Sequence, residues 1–339
     1  MAAPEWDEFL ESHPQGQFQQ SAMWAAAKAG AGWQVFRTLA RRQGELIGGA
    51  QVLVQPTRAG KVAFVNKGPV VDPTDSALFE QVLAAVGVAC RRHRVRALIV
   101  QLPDHAGELL SRLQGRGFAR NHFGGIVRST LVLDLGKGAE PLFREFRKST
   151  RWEVRRAERG GVRVREGAEA DLPVFFELML ATCQRQQTRP NPATVEELCA
   201  LWAAFRERHR VRLTLAEVEG KAIGGLLSLR FGERVTVWKK GGVSSHNAVH
   251  ASSLLIFEAV RWGCEAGCRW LDFGALRPDI ARALLDGQPL SEPQKQSRDF
   301  FELGFGGVPW WQPESLIHFP NPLLRWAYAA FARWKYGSG

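Results

Sequence analysis

Six cations between residues 144 and 159 carry the most legible chemistry in this chain. If residues 139–160 form one helix, then at about 100° per residue Arg144, Arg147, Lys148, Arg151, Arg155 and Arg159 share one stripe. Leu142, Phe143, Phe146, Val154 and Ala157 fall on the opposite side, where they can bury against a sheet; Glu153 is a flaw in that face. Only Glu158 stands near the stripe to neutralise it. A charge run of this kind is commonly a solvated face. The alternative is contact with phosphates, those of a nucleic-acid backbone or a nucleotide.

Other chemistries find little support. The chain has no HExxH, no GxGxxG, no Walker loop and no convincing Ser-His-Asp order, and its histidines are dispersed. Cys264 and Cys268 stand one helical turn apart, but no histidine or second cysteine pair joins them, so helix packing is expected and no metal. What remains is group transfer by positioning, with cations on phosphates and dipoles supporting a developing oxyanion. No cofactor is expected.

The elements that must position these groups come in two like sets. GELIGGA at 44–50 is echoed by GKAIGGL at 220–226, and AFVNKG at 63–68 by TVWKKG at 236–241, so Lys67 and Lys240 hold matching places. Helix-like stretches follow at 77–93 and 252–268, then short strands at 97–102 and 270–274, and LQGRGF (113–118) pairs with FELGFGG (301–307). A period this long is a duplicated domain; solenoid repeats are shorter. The expected division is a first domain over 1–129, a second over 130–319, and a C-terminal helix over 320–339. In the second domain, further helices are expected at 170–187 and 193–209, and a loop or weak helix over 276–297.

Composition agrees with two globular domains. The chain has 339 residues, 45% of them hydrophobic and 23% charged, enough to build sizeable cores. No long apolar run and no basic-then-apolar leader are visible, and five scattered cysteines suit a reducing cytoplasm. A formal net charge of +11 favours polyanionic partners. Residues 322–336, PLLRWAYAAFARWKY, read as a helix that packs on the core, with tryptophans and cations that would also suit peripheral contact with a membrane.

The element order, α/β with α+β mixing, is that of two tandem GNAT (acyl-CoA N-acyltransferase)-like domains. A GNAT domain that uses acyl-CoA holds the pyrophosphate on a glycine-bearing loop at a helix start. The corresponding stretches, 242–253 and 70–77, lack those glycines, so use of CoA is disfavoured.

Several stretches resemble the Fem (FemABX) family of aminoacyltransferases, which build peptidoglycan cross-bridges from aminoacyl-tRNA. They are FQQSAMWAAAKAGAGW (18–33), AFVNKGPVVD (63–72), FRKSTRWEVRRAERGGV (146–162), RQQTRPN (185–191), WLDFGAL (270–276) and FFELGFGG (300–307). Together they span nearly the whole chain in order. The resemblance implies an aminoacyl-tRNA donor and an acceptor precursor that is UDP-linked or lipid-linked. It implies that Lys28 and Arg189 contact the acceptor's diphosphate and that Phe301 meets the donor's terminal adenosine, with Lys67 and Lys240 as further substrate contacts. The 144–159 stripe would approach tRNA. One departure matters: the family has lysine where this chain has Glu302, so Lys240, Lys295 or Arg298 must supply the cation or the reaction differs. On this reading Glu302→Lys keeps or raises tRNA-dependent transfer. Asp104 lies near a family acidic position and is the candidate base. A variant keeps the chemistry but forms the peptide bond on a small metabolite, and two further alternatives stay open: an N-acyltransferase using acyl-CoA or an acyl carrier, and an RNA- or envelope-binding module without activity.

Overall fold

The computed structural model describes residues 3–123, 126–243 and 249–336. Contacts divide the chain into unit 1, residues 1–128 with 312–339, and unit 2, residues 129–311.

Unit 1 begins with helices α1 (Ala3–Ser12) and α2 (Ala22–Gly30), then strands β1 (Gln34–Arg42), β2 (Glu45–Thr57), β3 (Gly60–Asn66) and β4 (Val70–Val71). Helix α3 (Ser76–Arg92), strand β5 (Val95–Gln101), helix α4 (Leu110–Gly115) and strand β6 (Ala119–Arg120) follow. Asp75 starts α3 by accepting the Leu78 N–H at 2.9 Å, an N-cap that satisfies an otherwise orphaned donor. Apolar residues at helical spacing on α3, Leu78, Phe79, Val82 and Val86, then bury against Val52, Val54, Ala63 and Val100 of the sheet.

Unit 2 runs β7 (Ser129–Asp134), α5 (Ala139–Glu145), α6 (Lys148–Arg159), β8 (Arg163–Gly167), α7 (Leu172–Arg185) and α8 (Val195–Phe205). It continues with β9 (Val211–Val218), β10 (Lys221–Phe231), β11 (Arg234–Gly242), α9 (Ala251–Glu265) and β12 (Trp270–Ala275). Helices α10 (Pro278–Leu285), α11 (Glu292–Lys295) and α12 (Arg298–Glu302) and strand β13 (Val308–Trp311) complete it. The chain then returns to unit 1 with β14 (Leu316–His318) and α13 (Pro322–Tyr336).

The two sheets share one plan. Unit 1 orders its strands β1-β2-β3-β5-β14-β6, and unit 2 orders the equivalent ones β9-β10-β11-β12-β7-β13, with β8 added beyond β9. In each sheet only the step after the third strand, β3 to β5 or β11 to β12, is parallel, and the helix α3 or α9 makes that crossover. The slot between β5 and β6 is filled by β14, which pairs antiparallel with both. That pairing assigns residues 312–339 to unit 1, whereas adjacency in sequence places 312–319 in the second domain. Without β14 the facing edges of β5 and β6 would lack backbone partners.

One expected element divides. The helix predicted over 139–160 is two helices, because Phe146 (ψ 152°) and Arg147 (ψ 143°) are extended. The break has tertiary causes. Arg147 gives its backbone N–H to Gly304 O at 2.8 Å, and the Phe146 ring inserts among Phe143, Phe257 and Phe305. Arg144 therefore sits on α5 and Arg147 at the break, while Lys148, Arg151, Arg155 and Arg159 remain on α6. Similarly α8 ends at Phe205, before a short turn in which Arg208 has φ 56°. The segment 276–297 carries α10 and α11. Among the described residues no helix is long and apolar enough to cross a membrane.

Candidate active site in the second unit

The parallel pair of unit 2 comes apart. β11 and β12 are in register at Arg234–Trp270, Val235–Leu271 and Thr236–Asp272, after which β11 runs on to Gly242 against β10 while β12 bends at Gly274, φ 87°. The equivalent pair in unit 1 stays together from Lys61 to Asn66. Diverging parallel strands leave backbone donors and acceptors on their inner edges for something other than each other.

Charged groups stand at both ends of this opening. Where the strands part, Asp272 Oδ1 accepts the Gly274 N–H at 2.8 Å and the Thr130 hydroxyl, and Arg234 lies 3.5 Å from Oδ2. At the far end of β11 the Lys240 ammonium meets Glu302 Oε1. Glu302 projects from α12, a short helix begun by Ser297, whose hydroxyl accepts the Phe300 N–H at 3.3 Å. Glu302 is 1% exposed, and its Oε2 makes no hydrogen bond among the described residues. Lys240 keeps 27% of its side-chain surface. A buried carboxylate thus fixes a lysine whose side chain stays partly exposed.

Asp299, one turn back on α12, is also buried. Burial pushes its carboxyl above the ordinary range, Arg298 pulls the other way, and Glu302 adds to the rise. A carboxyl held up in the folded state favours folding while protonated; that contribution is present in acid and is lost as pH rises through the raised value. Asp299→Asn, neutral throughout, is therefore expected to melt above the parent near neutral pH and to match it in acid, as thermal melts across pH would show.

The remaining α12 neighbours explain part of the basic stripe. Arg147 lies 3.9 Å over the Phe300 ring and donates to Phe300 O at 3.2 Å, so it clamps α12. Arg151 donates to the Arg144 carbonyl, and Arg155 sits 5.4 Å over Phe143. Arg144, Lys148, Arg155 and Arg159 are exposed, whereas Arg147 and Arg151 are half-buried. Glu153 is answered: the buried Ser253 hydroxyl donates to it at 2.6 Å. Phe301 is half-buried, edge-on to Phe305 at 5.4 Å. Arg189 is exposed in the segment between α7 and α8.

In unit 1 the lysine matching Lys240 is also paired. Lys67 Nζ lies 2.7 Å from Asp104 Oδ1 and donates to Gln312 Oε1 as well. Both charged side chains are buried, at 8% and 5% exposure. Sequence reading separated these two, one as a substrate contact and one as a base; the structure makes them a single buried ion pair. Lys67 reaches it from left-handed backbone, φ 57°, just before Gly68. A Cβ on Gly68 would lie 2.8 Å from the Gln20 amide, which bonds the Gln51 N–H and the Asn66 carbonyl, both at 2.7 Å. Gln20 stands inside a stretch already singled out; Gln312 gave no signal. Lys28, in the last turn of α2, lies 4.8 Å from the Trp24 ring and 5.5 Å from Trp33. The stretch 242–253, compared above with a CoA loop, falls partly outside the described residues, at 244–248.

Two like units, each a meander, a helix crossover and a parallel step, give a tandem GNAT-like fold, and residues 144–279 match the acetyltransferase (GNAT) domain family. Residues 1–107 match the FemAB family. The chain is 27% identical over 295 residues to the UDP-N-acetylmuramoylpentapeptide-lysine N(6)-alanyltransferase of Weissella viridescens, covering 82% of this chain and 85% of that protein. It is 28% identical to the lipid II:glycine glycyltransferase of Staphylococcus haemolyticus over 53% of this chain, which is 46% of that protein. The crystal structure of FemX superposes with a TM-score of 0.83 at 17% identity, covering 96% of this chain and 98% of that one, a likeness of fold.

Proposed function

We infer that the protein moves an aminoacyl group from the ester of an aminoacyl-tRNA to the amine of a peptidoglycan precursor peptide, in the cytoplasm. The amine nitrogen bonds to the ester carbonyl carbon, the ribose oxygen leaves, and the amine's proton ends on that oxygen. An activated ester needs no metal and no nucleotide hydrolysis for this step. The protein's part is to hold both reactants and to stabilise the oxyanion that forms between them. The observation that carries the reading is the opening between β11 and β12 with Lys240 fixed beside it by Glu302. In this assignment Lys240 supplies the cation that the family places on α12, Phe301 lies near the donor's end, and the exposed Lys148, Arg155 and Arg159 meet tRNA phosphates. The names of the relatives support a peptidoglycan acceptor.

The GNAT match over 144–279 favours a second reading, transfer from acyl-CoA or an acyl carrier. Thermal-shift titration separates the two: stabilisation by the UDP-linked precursor and none by CoA supports the first, and the reverse supports the second. The decisive assay is single-turnover transfer from pooled charged tRNAs to candidate precursors, read by mass spectrometry; no transfer to any of them would remove the assignment. Lys28 and Arg189 are each assigned to the acceptor's phosphates. Lys28→Ala and Arg189→Ala are each expected to raise the acceptor KM by about tenfold, a loss typical of one charge-assisted contact, with kcat little changed.

A further inference from the structure

Helix α13 turns its most apolar face away from the protein. Tyr328 is its buried anchor: the hydroxyl donates to Arg120 O at 2.7 Å and accepts the His122 N–H at 2.9 Å. Phe331 packs beside it against the sheet. At about 100° per residue, Leu323, Trp326, Ala330 and Trp334 form a stripe about 80° wide, centred about 160° around the axis from Tyr328. Leu323 is 76% exposed, Trp326 69% and Trp334 83%. A helix held only by its own sheet would carry polar residues there. Packing on the core, the role expected from sequence, thus accounts for one face and leaves the other unexplained.

The charges around the stripe say what should cover it. Arg333 borders it, about 20° from Trp326, Arg325 and Lys335 lie farther round the helix, and residues 322–336 contain no acid. We propose that α13 docks this protein on the surface of a bilayer rich in anionic lipid. Leu323, Trp326 and Trp334 enter the boundary between headgroups and acyl chains, while Arg333 beside them meets lipid phosphate and the helix's other cations add to the attraction. Tryptophan suits that depth because its ring is apolar and its N–H is not. A second copy of this chain suits the stripe poorly. A twofold pairing of α13 with itself would bring together two helices that each carry three cations and no carboxylate to answer them. The inference rests on α13 alone and not on the transferase reading.

The test uses the full chain with phosphatidylcholine vesicles, with and without phosphatidylglycerol, in a sedimentation assay. Binding to the anionic vesicles is expected to be at least about tenfold tighter than to the neutral ones and to weaken as salt is added. The double substitution Trp326→Ala with Trp334→Ala should reduce anionic-vesicle binding by at least about tenfold while leaving the thermal melt unchanged, since both rings are exposed. Replacing Arg325, Arg333 and Lys335 by glutamine should erase the preference for anionic lipid. Failure to sediment with anionic vesicles, equal binding to neutral ones, or parent-like binding by the tryptophan variant would overturn the proposal. So would a dimer in sedimentation velocity that the tryptophan variant abolishes, if no vesicle binding accompanied it. None of these readouts uses transferase activity, so they stand apart from the success or failure of the catalytic assignment.

Discussion

Lys67→Ala is expected to lower the stability of unit 1 by about 3–5 kcal/mol, the cost of breaking a buried ion pair by removing one member. Asp104 would keep its carboxylate in a site 5% exposed, and Gln312 Oε1 would lose the ammonium it accepts from. Asp104→Ala should cost a similar amount for the mirror reason. The pair itself need not be stabilising, because two desolvated ions only roughly recover their hydration energy from each other. The double variant Lys67→Met with Asp104→Leu should therefore recover much of the loss. Urea unfolding, followed by tryptophan fluorescence and by circular dichroism together, measures this in a chain of two units. The same series decides between the roles read for Asp104. If the pair is structural, Asp104→Asn changes kcat little once the folded fraction is matched. A stable Asp104→Asn protein with a collapsed kcat would restore it as the base.

The repeat was legible because turn glycines and strand-like runs recur in sequence, and it brought Lys67 and Lys240 to notice as equivalents. Their partners were not legible. Asp104 lies 37 residues beyond Lys67, and Glu302 lies 62 beyond Lys240; each pairing depends on how a later segment packs, which no local pattern encodes. The same limit explains the two largest differences. A helical hydrophobic period runs through Phe146 and Arg147, but Gly304 takes the Arg147 N–H and the aromatic cluster takes Phe146, so tertiary bonding overrides local preference. Strand β14 is three residues long, too short for a period of two to register, yet it decides which unit owns the last part of the chain. The charged stripe shows a finer form of this limit. All six cations were found by spacing, but only the folded chain separates Arg147, which clamps Phe300, from Lys148, Arg155 and Arg159, which face solvent.

Lys240→Ala is expected to reduce kcat for aminoacyl transfer by about 10²–10³-fold, the loss typical when one preorganised oxyanion stabiliser is removed. Acceptor KM should change much less, because the interaction is assigned to the transition state. The substitution also leaves Glu302, nearly fully buried and with one oxygen lacking a hydrogen bond among the described residues, with Arg298 at 4.0 Å from Oε1, so a stability loss will accompany it. Lys240→Met with Glu302→Gln separates the two effects. Removing both charges should restore the melting temperature to near that of the parent while activity stays low; a stable double variant that turned over at the parent rate would end the assignment of Lys240. The geometry also reverses the expectation that Glu302→Lys keeps or raises transfer. With Lys240 already in contact with that position, a second ammonium would meet the first in a buried site, so the single substitution should destabilise unit 2 and depress kcat. Exchanging the charges, Lys240→Glu with Glu302→Lys, restores an opposite-charge pair and puts the cation on α12. It should recover stability first and activity only in part, since the ammonium would then belong to the buried member of the pair and no longer to the partly exposed one.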